Sequence, residues 1–150
     1  MAIRSVVQQG DEILRKKSKE VTDFDSRLSI LLDDMKDTVR KEKGAGLAAV
    51  QVGVLKRAVV VDVEEGYFEF INPVIVRSEG SVKGVEGCLS VRGRQGNVRR
   101  PSKVELEYLD RKGQPHKLTA EGFFARAICH ELDHLDGILY IDKATEIWAE

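Results

Sequence analysis

The residues best able to do chemistry lie together in Ala127-Ile-Cys-His-Glu-Leu-Asp-His-Leu-Asp-Gly137, where His130 and His134 stand four residues apart with Glu131 between them. On a helix that spacing puts the two imidazoles on neighbouring turns of one face, with Glu131 about 100° round the axis from His130. Two imidazoles placed to share a metal, and a carboxylate in reach of a water on it, are the core of a hydrolytic centre. Two core histidines bonded to backbone would read the same way, so a catalytic centre needs a third ligand.

Downstream options fail. A thermolysin-type site takes an acidic ligand far along the chain, and only sixteen residues follow His134; the metzincin pattern is matched through Gly137 but has Tyr140 where its last histidine belongs. Upstream, the candidates are Cys88 and His116. Cys129 is excluded as a partner of His130 because adjacent helical side chains point about 100° apart. Cys88 lies in Gly84-Val-Glu-Gly-Cys-Leu-Ser90, which reads as a turn-rich segment able to hold a thiolate among backbone donors. With the two histidines it makes a Cys-His-His set that leaves a fourth position for water. His116, read as a strand or surface histidine, stays the alternative.

The elements that must position these residues follow from periodicity. Residues 3–19 read as irregular with one helical turn after Asp11. Leu28, Leu31, Leu32, Met35 and Val39 recur at three- and four-residue steps, predicting an amphipathic helix capped by Asp25 and stopped by Gly44. Gly44-Ala-Gly-Leu-Ala-Ala-Val-Gln51 reads as a tight loop with room for close approach; it matches no phosphate-binding fingerprint. Residues 58–63 predict a buried strand, and residues 67–71 another that Asn72-Pro73 stops before 74–76 resume. Gly80, Gly84, Gly87, Gly93 and Gly96 predict turns with a strand or two between them. Residues 103–109 alternate strictly, Asp110 to Gly113 turn, and His116 and Leu118 lie on the returning strand. Thr119 caps a helix reaching Asp136, and residues 142–150 form surface helix with Trp148 as an anchor. The fold class is α+β: short, mostly antiparallel strands packed around a central C-terminal metal-binding helix, with an N-terminal amphipathic helix.

Bulk properties narrow the function. One hundred and fifty residues make one domain, 1–150, able to bury about 68–70% of its unfolded surface without disulfides. The 24 basic and 25 acidic side chains nearly cancel, which predicts no general affinity for nucleic acid or anionic membrane. There is no apolar leader and no membrane-spanning run, so a soluble intracellular protein with reduced Cys88 and Cys129 is expected. Arg92, Arg94, Arg99, Arg100 and Lys103 form a basic cluster that either attracts a peptide carboxylate or is a solvated loop; it lacks the interleaved aromatics of nucleic-acid readout.

Three separated motifs, Gly44-Ala-Gly-Leu-Ala-Ala-Val-Gln51, Glu86-Gly-Cys-Leu-Ser90 and His130-Glu-Leu-Asp-His134 with the trailing Leu135-Asp-Gly137, together resemble the bacterial peptide deformylases of the short form, over nearly the whole chain. The resemblance implies a metal held by Cys88, His130 and His134, with Glu131 as general base and the Gln51 amide and Leu89 N–H holding the formyl oxygen. It implies removal of the formyl group from N-formylmethionyl peptides of nascent proteins, with release of formate. It also implies ferrous iron in the cell, although the ligand set admits Zn2+, Ni2+ or Co2+. The peptide would run beside Gly44, Gly46 and Leu47 and the 88–91 segment as an added strand. Its methionine would enter an apolar pocket near Ala127, Leu89 and His130. A cytoplasmic enzyme working transiently near the ribosome is expected, with no direct nucleic-acid readout and no membrane. Two residues depart from the family pattern: Arg92 stands where many members have proline, and Cys129 where most have glutamine. The rival readings are a general metallopeptidase or other amide hydrolase, and a non-catalytic metal- or peptide-binding protein whose site His116 closes.

Overall fold

The computed structural model describes residues 2–150. The first long element is α1 (Ser26–Lys41), and its start is chemically defined: the Leu28 N–H donates to the Asp25 side chain at 3.1 Å. The predicted stripe of Leu28, Leu31, Leu32, Met35 and Val39 is fully or almost fully buried. The end differs from the sequence expectation. Lys43, not Gly44, takes the left-handed conformation (φ 57°), with Lys43 N–H donating to Arg40 O and Gly44 N–H to Val39 O. This double bond pattern closes the last turn one residue before the glycine. The single turn after Asp11 is present as a 3₁₀ turn, Glu12–Arg15.

The strands are β1 (Gly46–Ala48), β2 (Ala58–Val63), β3 (Gly66–Glu79), β4 (Val82–Cys88), β5 (Val91–Arg100), β6 (Lys103–Leu109) and β7 (Pro115–Glu121); α2 (Gly122–Leu135), α3 (Tyr140–Lys143) and β8 (Glu146–Ala149) follow. One sheet has the order β1-β2-β3-β6-β7 and the other β4-β5-β8, and every pairing is antiparallel. The apolar run of β2 has a simple cause. Ala58 and Val60 pack in the core formed with α1, whereas Val59 and Val61 pack in the core formed with α2, so both faces of the strand are covered. A third cluster, Leu14, Val91, Val98, Leu139 and Tyr140, joins β5 to α3. Among the described residues, no helix is long and apolar enough to cross a membrane.

Five further sequence expectations are corrected. The 44–51 segment is not only a loop: Gly46 to Ala48 pair with Val61 to Val59 as the terminal strand of the larger sheet, and a 3₁₀ turn, Ala49–Val52, follows. Asn72 bends β3 without stopping it, because its φ of 50° is held by two hydrogen bonds between its side-chain amide and the Val21 backbone. The glycine-rich middle is a long β4–β5 hairpin with Gly84, Gly87, Gly93 and Gly96 inside strands. Finally, Thr119 sits in β7 opposite Glu105, Glu121 occupies the N-cap of α2, and residues 146–149 are a strand on β5, with Trp148 opposite Gln95. A strand edge supplies backbone partners that periodicity in so short a tail does not reveal.

Removal of the α1 cap tests this reading of the helix start. Asp25→Ala should lower stability by about 1 kcal/mol, read as a reduced urea midpoint with an unchanged slope.

Candidate metal centre

Ten of the fourteen residues of α2 are buried, including Arg126, His130, Glu131 and His134. A helix enclosed to this degree must satisfy its polar side chains within the protein or present them to a ligand. The Cys88 thiol meets the helix from the end of β4, where a register irregularity between Glu86 and Cys88 turns the strand end. One donor atom from each of Cys88, His130 and His134 lies within 4.8 Å of the others, and Cys88 Sγ is 3.4 Å from His134 Nε2. The two imidazole rings are 5.2 Å apart and inclined at 66°. His130 commits Nδ1 to Glu86 Oε1 at 2.8 Å, which leaves Nε2 for a metal. One sulfur and two imidazole nitrogens converging in this way can hold a divalent transition metal.

The electrostatics suit a cation. Burial pushes His134 well below the ordinary imidazole range, so it offers a neutral lone pair. Burial acts on His130 in the same sense, but its contacts with Cys88 and Glu86 outweigh it and draw positive charge to that ring. A metal ion is the alternative positive charge at this point. Ser90 N–H (3.4 Å) and Gln51 Nε2 (3.5 Å) approach Cys88 Sγ as donors.

Glu131 is buried beside the cluster. Burial raises its carboxyl to about 7, with the His130 charge opposing the shift, and Oε1 has no partner. Its carboxyl lies against the β1 backbone so closely that a Cβ on Gly46 would be 2.8 Å from its Cγ and Oε2. Gln51 is oriented by its neighbours: Oε1 accepts the Ala48 N–H at 2.9 Å, and Nε2 donates to Ser90 Oγ at 3.0 Å. The Leu89 carbonyl accepts from Gln8 Nε2, fixing the β4–β5 turn. These groups border a cavity of about 410 Å³, whose lining includes Gly44, Gly46, Gln51, Leu89 and Glu131. Leu47 does not share that position; its side chain is buried with the α1 residues.

Other candidates lie elsewhere. His116 is on the exposed β6–β7 hairpin, stacked on Tyr108 and 2.7 Å from Asp110. Cys129 packs into the α2 core, where burial raises its thiol, so it behaves as a small hydrophobe. The basic cluster divides: Arg100 is 4% exposed, Arg92 reaches Glu42 at 3.4 Å, and Lys103 reaches Glu79 at 3.6 Å.

Sequence reasoning missed the residues behind the centre. Glu86 accepts two hydrogen bonds from Arg100 (Nε and Nη2, both 2.9 Å), one from Arg126 Nη1 (2.8 Å) and the one from His130. Arg100 Nη1 also donates to Asp133 at 2.6 Å. Burial alone would raise the Glu86 carboxyl, but the bonds and charge of Arg100 and His130 dominate and hold it at about 2. Glu86 and Ser90 fall inside a recognised motif, which was their only signal. Arg100 and Arg126 are distant from it in the chain and carry none.

The polypeptide deformylase family model matches residues 3–149. A peptide deformylase of Caldicellulosiruptor bescii is 57% identical over 150 residues, spanning 100% of this chain and 90% of that one. Among solved structures, a peptide deformylase from Legionella pneumophila superposes with a TM-score of 0.92 at 42% identity, covering 95% of this chain and 86% of that one. One from Thermotoga maritima gives 0.94 at 35% identity, covering 96% and 99%.

The Glu86 network makes a prediction with a definite sign. Glu86→Gln should destabilise the protein by about 3–5 kcal/mol at neutral pH, because two buried guanidiniums lose their shared anion. A carboxyl held low in the folded state contributes above its ordinary range and loses that contribution as pH falls toward 2. The urea-unfolding difference between wild type and variant should therefore shrink with acidification.

Proposed function

The chain belongs to the polypeptide deformylase family, and from that premise we propose that Cys88, His130 and His134 are its metal ligands, Glu131 its proton carrier, and Gln51 and the Leu89 N–H its donors to the formyl oxygen. The protein is a metal-dependent hydrolase that removes the formyl group from formylmethionyl peptides and releases formate. The observation that carries the residue assignment is the convergence of the Cys88, His130 and His134 donor atoms beside a buried, unpartnered Glu131 oxygen.

When bound, the metal supplies Lewis acidity toward the water and the formyl oxygen. Glu131, with its carboxyl near 7, can take up and release a proton at neutral pH. It accepts the proton of the attacking water as the new C–O bond forms at the formyl carbon, then delivers it to the peptide nitrogen as the C–N bond breaks. Gln51 Nε2 keeps Ser90 as its firm partner and exchanges its long contact with Cys88 for the developing oxyanion. The peptide backbone fits between β1, at the end of the larger sheet, and β4, at the end of the smaller, since each has an unpaired edge. Gly44 and Gly46 lie along this path, whereas Leu47 contributes backbone. The first side chain of the peptide enters the cavity between Leu89 and Ala127.

Ferrous iron is the metal we assign in the cell, with Zn2+, Ni2+ and Co2+ compatible with the same donors. Residues 1–150 act as one domain. The substrate is made by the ribosome, so the cytoplasm near the ribosome is the place of action, without direct readout of nucleic acid and without a membrane.

Two variants test the assignment. Glu131→Gln should lower kcat at least a hundredfold on a formylmethionyl tripeptide while the purified protein retains its metal, and loss of metal in step with activity would refute the proton-carrier role. In Gly46→Ala the new methyl group must displace the Glu131 side chain. We expect a fall in kcat of about tenfold or more, with metal content unchanged by elemental analysis.

A further inference from the structure

Arg126 stands one helical turn before His130, is 8% exposed, and borders the cavity. Its guanidinium is held on one side only: Nη1 donates to Glu86 Oε2 and to Val98 O, each at 2.8 Å, and Nη2 donates to Val82 O at 2.7 Å. Among the described residues Nε makes no hydrogen bond, and it is not fully enclosed in a residue that borders the cavity. The group lies over Gly84, where a Cβ would be 2.8 Å from Cζ and Nη2 and 2.9 Å from Nε; a side chain at 84 would expel it. The lining of the same cavity also includes the apolar side chains of Val85, Phe123, Ala127 and Leu89.

Resting on the deformylase reading above, we infer that Arg126 is a specificity-determining residue whose Nε–H reads a hydrogen-bond acceptor in the first side chain, so that formylmethionine sulfoxide termini are substrates alongside formylmethionine. When a bound side chain displaces water from the cavity, a donor left without an acceptor is costly, and a side chain that supplies one avoids that cost. The methionine sulfur is a weak acceptor, a sulfoxide oxygen is a strong one, and the methylene of norleucine, which has the same shape as methionine, is none. The acceptor must be neutral. The Arg126 guanidinium already shares the Glu86 anion, and the Glu131 carboxyl adjoins the same cavity, so the site favours a neutral acceptor over a second carboxylate.

The test compares kcat/KM of the metal-loaded protein for three formyl tripeptides that differ only in their first residue: methionine, methionine sulfoxide and norleucine. Wild type should process the sulfoxide peptide within about tenfold of the methionine peptide and at least threefold faster than the norleucine peptide. In Arg126→Met the loss of a Glu86 partner scales all three rates together, whereas the sulfoxide-to-norleucine ratio should fall about tenfold. A norleucine peptide processed as fast as the sulfoxide peptide by wild type overturns the inference, whether or not the variant folds. An unchanged ratio in a folded variant also overturns it. If wild type turns over none of the three, the deformylase reading itself fails.

Discussion

The structure depends on the enclosure of α2. A helix buried along ten of its fourteen residues is ordinarily apolar, yet this one carries an arginine, two histidines and a glutamate into the interior. Each needs a partner of defined geometry, and the Glu86 carboxylate is the point where several of those needs meet. One anion from β4 orients His130, anchors Arg126 and pairs with Arg100 from β5. The β4–β5 hairpin is thereby locked to the helix by charge-assisted bonds, which are directional in a way that apolar packing is not. The same hairpin brings Cys88 to the histidines, so one interaction serves both the fold and the centre.

Two buried glutamates in this region have opposite fates, and the contrast follows from their surroundings. Glu86 is surrounded by donors and stays ionised far into acid. Glu131 has neither an arginine nor a backbone donor on Oε1, and burial lifts its carboxyl to about 7. A permanent anion is useful for orienting an imidazole; a carboxyl near neutrality is useful for moving a proton. The difference arises from what faces each group, since the two side chains are chemically identical.

Cys129 and Arg92, the two residues read from the sequence as unusual, fall outside this machinery. Cys129 turns into the apolar core, and Arg92 reaches across the cavity rim to Glu42. Neither replaces a group that touches the donor cluster. Position 126 is more consequential, because a guanidinium there shares the cavity wall with apolar side chains and requires the bare backbone of Gly84 beneath it.

What the sequence by itself determined was local or motif-borne. The spacing of His130, Glu131 and His134, the stripe and N-cap of α1, and the alternation of β6 are written in neighbouring residues, because helix and strand periods act over one or two turns. Family membership was legible for the same reason, through three short motifs. Only the tertiary structure decided which distant groups meet. It brought Cys88 rather than His116 to the histidines, set Glu86 behind His130, buried Arg100 and Arg126, and converted the glycine-rich stretch and the last residues into strands. Those outcomes rest on strand pairing and buried charge, whose partners lie tens of residues apart and leave no periodic trace in the chain.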